Sequence, residues 1–257
     1  MRKIVAGNWK SQKLMDEGRE LIDAIAQGLN KQQGKTEVVV APPAPYLAAY
    51  ASDLQVEGDR HVALAAQTCS AHGPGAHTGE FTAEMLRSAG VHQVIIGHSE
   101  RRERFGETDP IVQSKVAAGL AADLQVIFCC GEPLEVRKQG EENAWVEAQL
   151  RSALSEIAPA VAASQLVVAY EPIWAIGTGE TATAEQAQDM HAFIRTILND
   201  LFGSGTGAEI PILYGGSCKP SNAAELFAGA DVNGGLIGGA SLNAEDFLAI
   251  IAASDAA

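Results

Sequence analysis

Eight short apolar runs recur along the chain, at residues 3–7, 37–41, 62–67, 93–97, 125–130, 166–170, 210–214 and 235–238, and they show no polar alternation. A strand with one face in water alternates apolar and polar residues, whereas a strand covered on both faces reads as a continuous run of Val, Ile, Leu and Ala. The pattern therefore predicts a parallel sheet clothed in helices. Helix-like segments follow the runs, at 14–29, 45–54, 82–89, 110–122, 141–157, 184–201, 220–228 and 244–252. In the first of them, Leu21, Ile25 and Leu29 mark one amphipathic face.

Eight strand-helix units in 257 residues average about 32 residues each, which suits a closed eight-stranded parallel barrel of typically ~250 residues. The other architecture with this alternation is an open, doubly wound sheet. Its dinucleotide-binding form carries Gly-x-Gly-x-x-Gly after the first strand, and the turn here is Gly7-Asn8-Trp9-Lys10. No Pro/Ser-rich linker or shift of composition divides the chain, so residues 1–257 are expected to form one domain. The glycine-rich stretch Gly203-Ser204-Gly205-Thr206-Gly207 reads as a helix end followed by a loose connection.

Charge narrows the partners. With 32 Asp and Glu against 18 Lys and Arg the net charge is −14, and no basic block interrupts it. Nucleic acid and anionic membranes both demand a cationic footprint, so neither is an expected partner. No window approaches the ~18 consecutive apolar residues of a membrane span. The N-terminal run is too short for a secretory h-region. Of the four cysteines, Cys129 and Cys130 are adjacent while Cys69 and Cys218 are remote, which fits neither a disulfide framework nor a metal knuckle. A cytoplasmic protein acting on a small molecule, without metal or cofactor, is the expectation.

In such barrels chemistry gathers at the carboxyl ends of the strands. The residues there are Asn8 and Lys10, Gln67, His98, Glu171, Gly215-Gly216-Ser217 and Gly238-Gly239. They amount to one cation, one imidazole, one carboxylate and two glycine turns whose N–H groups can face an anion. A proton-transfer site beside a phosphate cradle accounts for that set, and a phosphorylated metabolite becomes the substrate class.

Asn8-Trp9-Lys10, Gly97-His98-Ser99-Glu100-Arg101-Arg102, the stretch 169–179 (AYEPIWAIGTG) and Tyr214-Gly215-Gly216-Ser217 together resemble the triosephosphate isomerase family, in order and across the chain. Segments 75–80, 129–132 and 231–242 add to the likeness. The resemblance implies an α/β protein with a closed eight-stranded parallel (β/α)8 TIM barrel. The implied reaction is the interconversion of dihydroxyacetone phosphate and D-glyceraldehyde 3-phosphate through an enediolate. By motif position it implies Glu171 as base, His98 as a neutral electrophile and Lys10 as a fixed positive charge, with Asn8 orienting the site. Substrate phosphate would meet backbone N–H groups near Gly177, Ser217, Gly238 and Gly239, and residues 172–179 would form a water-excluding lid.

The resemblance further implies a homodimer built through the polar loop 72–80, from His72 to Glu80, with Thr78 crossing to the partner. Glu100 and Arg101 are expected in an ion-pair network that supports the loops. Cys129 is expected to pack behind the base, and His61, His72, His77, His92 and His191 to lie at the surface or an interface. Several positions depart from the commoner family pattern: Ser11 and Gln12 after the lysine, Thr68 after Gln67, Glu180 at the end of the lid, and Asn233 in place of a frequent aspartate. They bear on lid kinetics and fine geometry. Two rival readings are an isomerase for a longer sugar phosphate, such as a tetrulose phosphate, and a silent phosphate-binding scaffold. The second predicts loss of Lys10, His98 or Glu171, and all three are present.

Overall fold

The computed structural model describes residues 1–31, 34–57, 62–176 and 181–257, with no side-chain description for residues 56 and 57. Strands β1 (Ile4–Asn8), β2 (Glu37–Ala41), β3 (Val62–Ala66), β4 (Gln93–Ile96), β5 (Gln125–Cys130), β6 (Leu166–Tyr170), β7 (Ile212–Tyr214) and β8 (Gly234–Ile237) pair in sequence order. β8 returns to β1 with Ile4 opposite Gly234, which closes a parallel barrel. The outer layer comprises α1 (Met15–Leu29), α2 (Leu47–Glu57), α3 (Ala83–Ser88), α4 (Ser99–Phe105), α5 (Asp109–Ala121), α6 (Leu134–Lys138), α7 (Glu142–Leu154), α8 (Pro159–Gln165), α9 (Ala184–Phe202), α10 (Ser204–Glu209), α11 (Pro220–Phe227) and α12 (Ala244–Ala256). Among the described residues no helix is long and apolar enough to cross a membrane.

The missing alternation in the sequence has a simple cause: both faces of each strand are covered, by different partners. Ile4, Ala6, Val39, Ala41, Ala65, Ile95, Ile127, Cys129, Val167, Ala169, Leu213 and Leu236 form a cluster of their own inside the barrel. Their neighbours in sequence, including Val5, Val38, Val40, Ile96, Phe128 and Val168, join the larger cluster shared with the helices. Side chains pointing alternately in and out of the sheet therefore enter two separate cores. The helices hold their side of the outer core through stripes such as Leu21, Ile22, Ile25 and Leu29 of α1. Thr183 and Gln186 begin α9 with reciprocal side-chain bonds to each other's backbone N–H, at 3.1 and 3.0 Å.

Two expectations are corrected. The glycine-rich stretch is not a loose connection throughout: Gly203 ends α9 with φ +82°, but residues 204–209 form α10. Tertiary contact overrides glycine's weak propensity there, since the Gly207 carbonyl accepts a 2.6 Å bond from the buried Arg195 guanidinium. The same guanidinium donates to Asn233 Oδ1 (3.0 Å), which also accepts the β7 N–H of Ile212 (2.9 Å). The amide at 233 thus joins α9 to β7 and β8 without a carboxylate.

His191 is not at the surface. It is fully buried on α9, with Tyr170 edge-on at 5.8 Å and Tyr214 at 6.4 Å. Its Nδ1–H donates to the Asp231 carbonyl (3.2 Å), while Nε2 has no partner among the described residues. Burial pushes its pKa down to about 4. An unfolded chain takes up the proton near pH 6.5, whereas the folded chain resists until about pH 4. Stability is therefore full above the unfolded value and should fall by roughly 3 kcal/mol as the pH drops through that window. Thermal melts of the parent and His191→Gln should diverge from about pH 6.5 downward; parallel curves would refute this account of the acid limb.

Candidate active site

Lys10, His98 and Glu171 stand at the ends of β1, β4 and β6, and together with Asn8 line one cavity of about 730 Å³ at the carboxyl end of the barrel. Ser217, Gly238 and Gly239 line the same cavity from the turns after β7 and β8. Of the sequence-derived site residues, Gly177 lies outside the described residues; the other expectations that fall there concern Thr178, Gly179, Glu180 and His61. The described part of the expected lid, Pro172 to Ile176, contains a 3₁₀ turn over Ile173–Ala175. The Trp174 indole N–H donates to Glu132 Oε1 (2.9 Å), and Ile176 reaches the cavity wall.

Lys10 is held in a left-handed backbone conformation, φ +53°, which a non-glycine residue adopts only when its surroundings impose it. Its N–H donates to Asn8 Oδ1 (3.0 Å), and Gln67 Nε2 donates to the carbonyls of Lys10 (2.7 Å) and Ala41 (2.8 Å). Gln67 thereby fixes the turn that delivers the ammonium, a task its position at a strand end does not announce. Lys10 Nζ pairs with Glu100 Oε1 at 2.7 Å. Burial opposes charge on Glu100, but the Lys10 ammonium prevails and holds its pKa below the ordinary carboxylate value.

Gly97, at φ +79°, makes the turn between β4 and α4, and Arg102 Nε donates to its carbonyl at 2.7 Å. His98 then caps α4, its Nδ1 accepting the Glu100 N–H at 3.2 Å. An acceptor nitrogen carries no proton, so the proton of this imidazole lies on Nε2. That Nε2–H donates to Glu171 Oε1 at 2.9 Å, and the Ser99 N–H donates to Glu171 Oε2, also at 2.9 Å. Glu171 is only 2% exposed and His98 6%. Burial pushes the His98 pKa down, but the adjoining Glu171 carboxylate outweighs it and leaves it raised, with Lys10 opposing. The ring's elevated basicity thus depends on Glu171 staying beside it.

Arg101 enters a supporting ion-pair network as expected, whereas the partner of Glu100 is Lys10 itself. Glu107 Oε1 accepts from Arg101 (2.5 Å) and from the buried Lys115 (2.7 Å), whose ammonium also donates to Thr68 Oγ1 (2.9 Å). A threonine hydroxyl is thus sufficient acceptor at position 68. Cys129 is fully buried in the inner core, and desolvation, with the Glu171 charge adding to it, pushes its thiol well above the ordinary value. That environment suits packing and not nucleophilic attack. Among the described residues no three His, Cys, Asp or Glu side chains gather as metal ligands.

An imidazole N–H, a carboxylate and an ammonium around one cavity, beside glycine turns, make a site for moving a proton next to a carbonyl on an anionic substrate. The sequence profile described as triosephosphate isomerase matches residues 3–254. A curated triosephosphate isomerase from Chloroherpeton thalassium is 49% identical over 254 residues, covering 99% of each chain. Another from Flavobacterium johnsoniae is 49% identical over 256 residues, covering 98% of this chain and 100% of its own. The crystal structure of triosephosphate isomerase from Bartonella henselae superposes with a TM-score of 0.88 at 39% identity, over 98% of this chain and 99% of that one. With that profile spanning the barrel, and relatives of nearly half identity aligned from end to end, the chain belongs to the triosephosphate isomerase family.

Proposed function

We propose that residues 1–257 act as one barrel domain that interconverts dihydroxyacetone phosphate and D-glyceraldehyde 3-phosphate, with Glu171 as the base, neutral His98 as the electrophile and Lys10 as the fixed cation. The observation that carries this is the convergence of the His98 Nε2–H, the Glu171 carboxylate and Lys10 in one cavity. Both Glu171 oxygens are engaged, by His98 and by the Ser99 N–H, so the carboxylate must turn away from them to reach a substrate C–H. That turn frees the His98 Nε2–H to donate to the substrate carbonyl. It also removes the larger of the two charges that raise the imidazole pKa, leaving burial and Lys10 against the Glu100 carboxylate to keep the ring neutral. Glu171 takes the proton from one carbon, the enediolate oxygens lean on His98 and Lys10, and the proton returns to the adjacent carbon.

Substrate phosphate is assigned to the backbone N–H groups at Ser217, Gly238 and Gly239, and by resemblance to Gly177. A lid over the cavity would keep water from an intermediate able to expel phosphate. None of these steps calls on a metal or cofactor. A homodimer is part of the reading: residues 72–80 are exposed throughout, and Leu14, Met85 and Phe105 are 68, 50 and 67% exposed, apolar surface that a second copy would cover. Thr78 would cross to the partner. The place of work is the cytoplasm, in glycolysis and gluconeogenesis. Initial rates on glyceraldehyde 3-phosphate and on a tetrulose phosphate, with sedimentation of the same preparation, test the proposal. Preference for the triose and the mass of two 26.9 kDa chains are expected. Turnover of the tetrulose alone, or the mass of one chain, would overturn the substrate or the dimer respectively.

A further inference from the structure

The turn after β5 lies directly beneath the backbone of the proposed base. The Glu171 N–H donates to the Cys130 carbonyl (2.8 Å) and the Ile173 N–H to the Glu132 carbonyl (3.2 Å), so residues 171–173 rest on 130–132. Gly131 lies between these bonds, and a Cβ placed on it would run into the Glu171 carbonyl oxygen. This close approach leaves the Glu171 backbone no freedom independent of Gly131.

The Gly131 peptide group is held by α7 through two side chains one turn apart. Gln149 Oε1 accepts the Gly131 N–H at 2.8 Å, in a buried bond, and Trp145 Nε1 donates to the Gly131 carbonyl at 3.1 Å. Trp145 is 44% exposed. An indole so placed gains little from apolar burial, and its bond to Gly131 is the interaction that accounts for its position. The i, i+4 pair reaches over the end of β5 and grips both polar ends of that residue. The bonded carboxylate sits 2.9 Å from both His98 Nε2 and the Ser99 N–H, a geometry that tolerates only small displacement.

We infer that Trp145 and Gln149 are positioning residues for proton transfer, acting through Gly131 to set where the Glu171 carboxylate stands. The inference rests on Glu171 being the base. Loosening the grip moves the base relative to the reacting carbon. Trp145 and Gln149 bond to the turn after β5, while the turn after β7 is held separately, its Gly215 N–H donating to the Tyr170 carbonyl at 2.7 Å, so chemistry should suffer more than binding.

The test uses Trp145→Phe, which keeps a ring and deletes the donor, Gln149→Leu, which deletes the acceptor, the double variant, and Glu171→Gln as reference. For the double variant kcat should fall about 10- to 100-fold, the scale of a sub-ångström to 1 Å misplacement. KM and inhibition by inorganic phosphate should stay within about two-fold, because uniform binding is preserved. The kinetic isotope effect with substrate deuterated at the carbon that loses its proton should rise, a change that loss of stability alone would not produce. If the double variant does not fold, Trp145→Phe decides, with a kcat loss of at least about three-fold required. A folded variant with parental kcat, or one with raised KM and unchanged kcat, would overturn the inference. If Glu171→Gln is inactive while the α7 variants run at the parental rate, only the inference fails; if Glu171→Gln itself turns over normally, the reading of the base fails.

Discussion

Replacing Glu171 with Gln should lower kcat by about 10²- to 10⁴-fold, the range general-base catalysis supplies, with KM within about three-fold of the parent. The amide matches the carboxylate in size, so the cavity keeps its shape, but it cannot accept the carbon-bound proton. The substitution also creates a local conflict. Both carboxylate oxygens accept, from His98 Nε2–H and from the Ser99 N–H, and an amide must set its NH₂ against one of those donors. The His98 ring cannot resolve it by moving its proton to Nδ1, because Nδ1 already accepts the Glu100 N–H. One buried donor is left without a partner, and stability should drop by roughly 1–3 kcal/mol. Activity measured well below the lowered melting temperature separates the two effects. Retention of more than about a tenth of the parental kcat would remove Glu171 from the role of base.

Lys10→Met should be as damaging by a different route. The Lys10 ammonium lines the cavity, as Lys219 also does, and it is the one that pairs with Glu100 and acts on the His98 ring, in a chain of net charge −14. Its removal deletes a stabiliser of the developing oxyanion, worth about 10²- to 10³-fold in kcat for a single preorganised group. It also strands the Glu100 carboxylate, whose ion-pair partner at 2.7 Å is Lys10. A bare carboxylate near the mouth repels a phosphorylated substrate, so KM should rise together with the fall in kcat. The double variant Lys10→Met with Glu100→Gln removes the stranded charge and should recover part of the KM defect but little of kcat. Full recovery of kcat in the double variant would show that repulsion by Glu100, and not the loss of the cation, had been the fault.

The strand positions were legible because burial on both faces writes itself into composition: β2, β5 and β6 have the bounds that their apolar runs predict. Short helices without an apolar stripe were less so. α6 and α8 left no periodic mark, being five and seven residues long. His191 carried a readable signal, since Ala187, Met190, Ile194 and Leu198 place it on the buried face of α9. A polar side chain on an apolar face invites assignment to the surface until its Asp231 carbonyl partner, 40 residues away, is in view. Gln149, an ordinary amide in the sequence, and Gln67, legible there as a polar strand end and no more, become structural because of which backbone groups lie within reach.

The order of apolar runs and the polar residue closing each are properties of the chain alone, because strand ends in a closed parallel barrel all open onto one rim. From them come the barrel, the rim and the trio of Lys10, His98 and Glu171. Distances within the trio and its supports depend on barrel closure, which brings His98 to Glu171 across 73 positions and Lys10 to Glu100 across 90. So does the strained backbone of Lys10, whose carbonyl Gln67 holds from 57 positions away. The grip of α7 on Gly131 spans 14 and 18 positions, and the proton on His98 Nε2 follows from the Glu100 N–H two positions on. All are set by hydrogen bonds, and a hydrogen bond is a matter of tenths of an ångström that residue order does not encode.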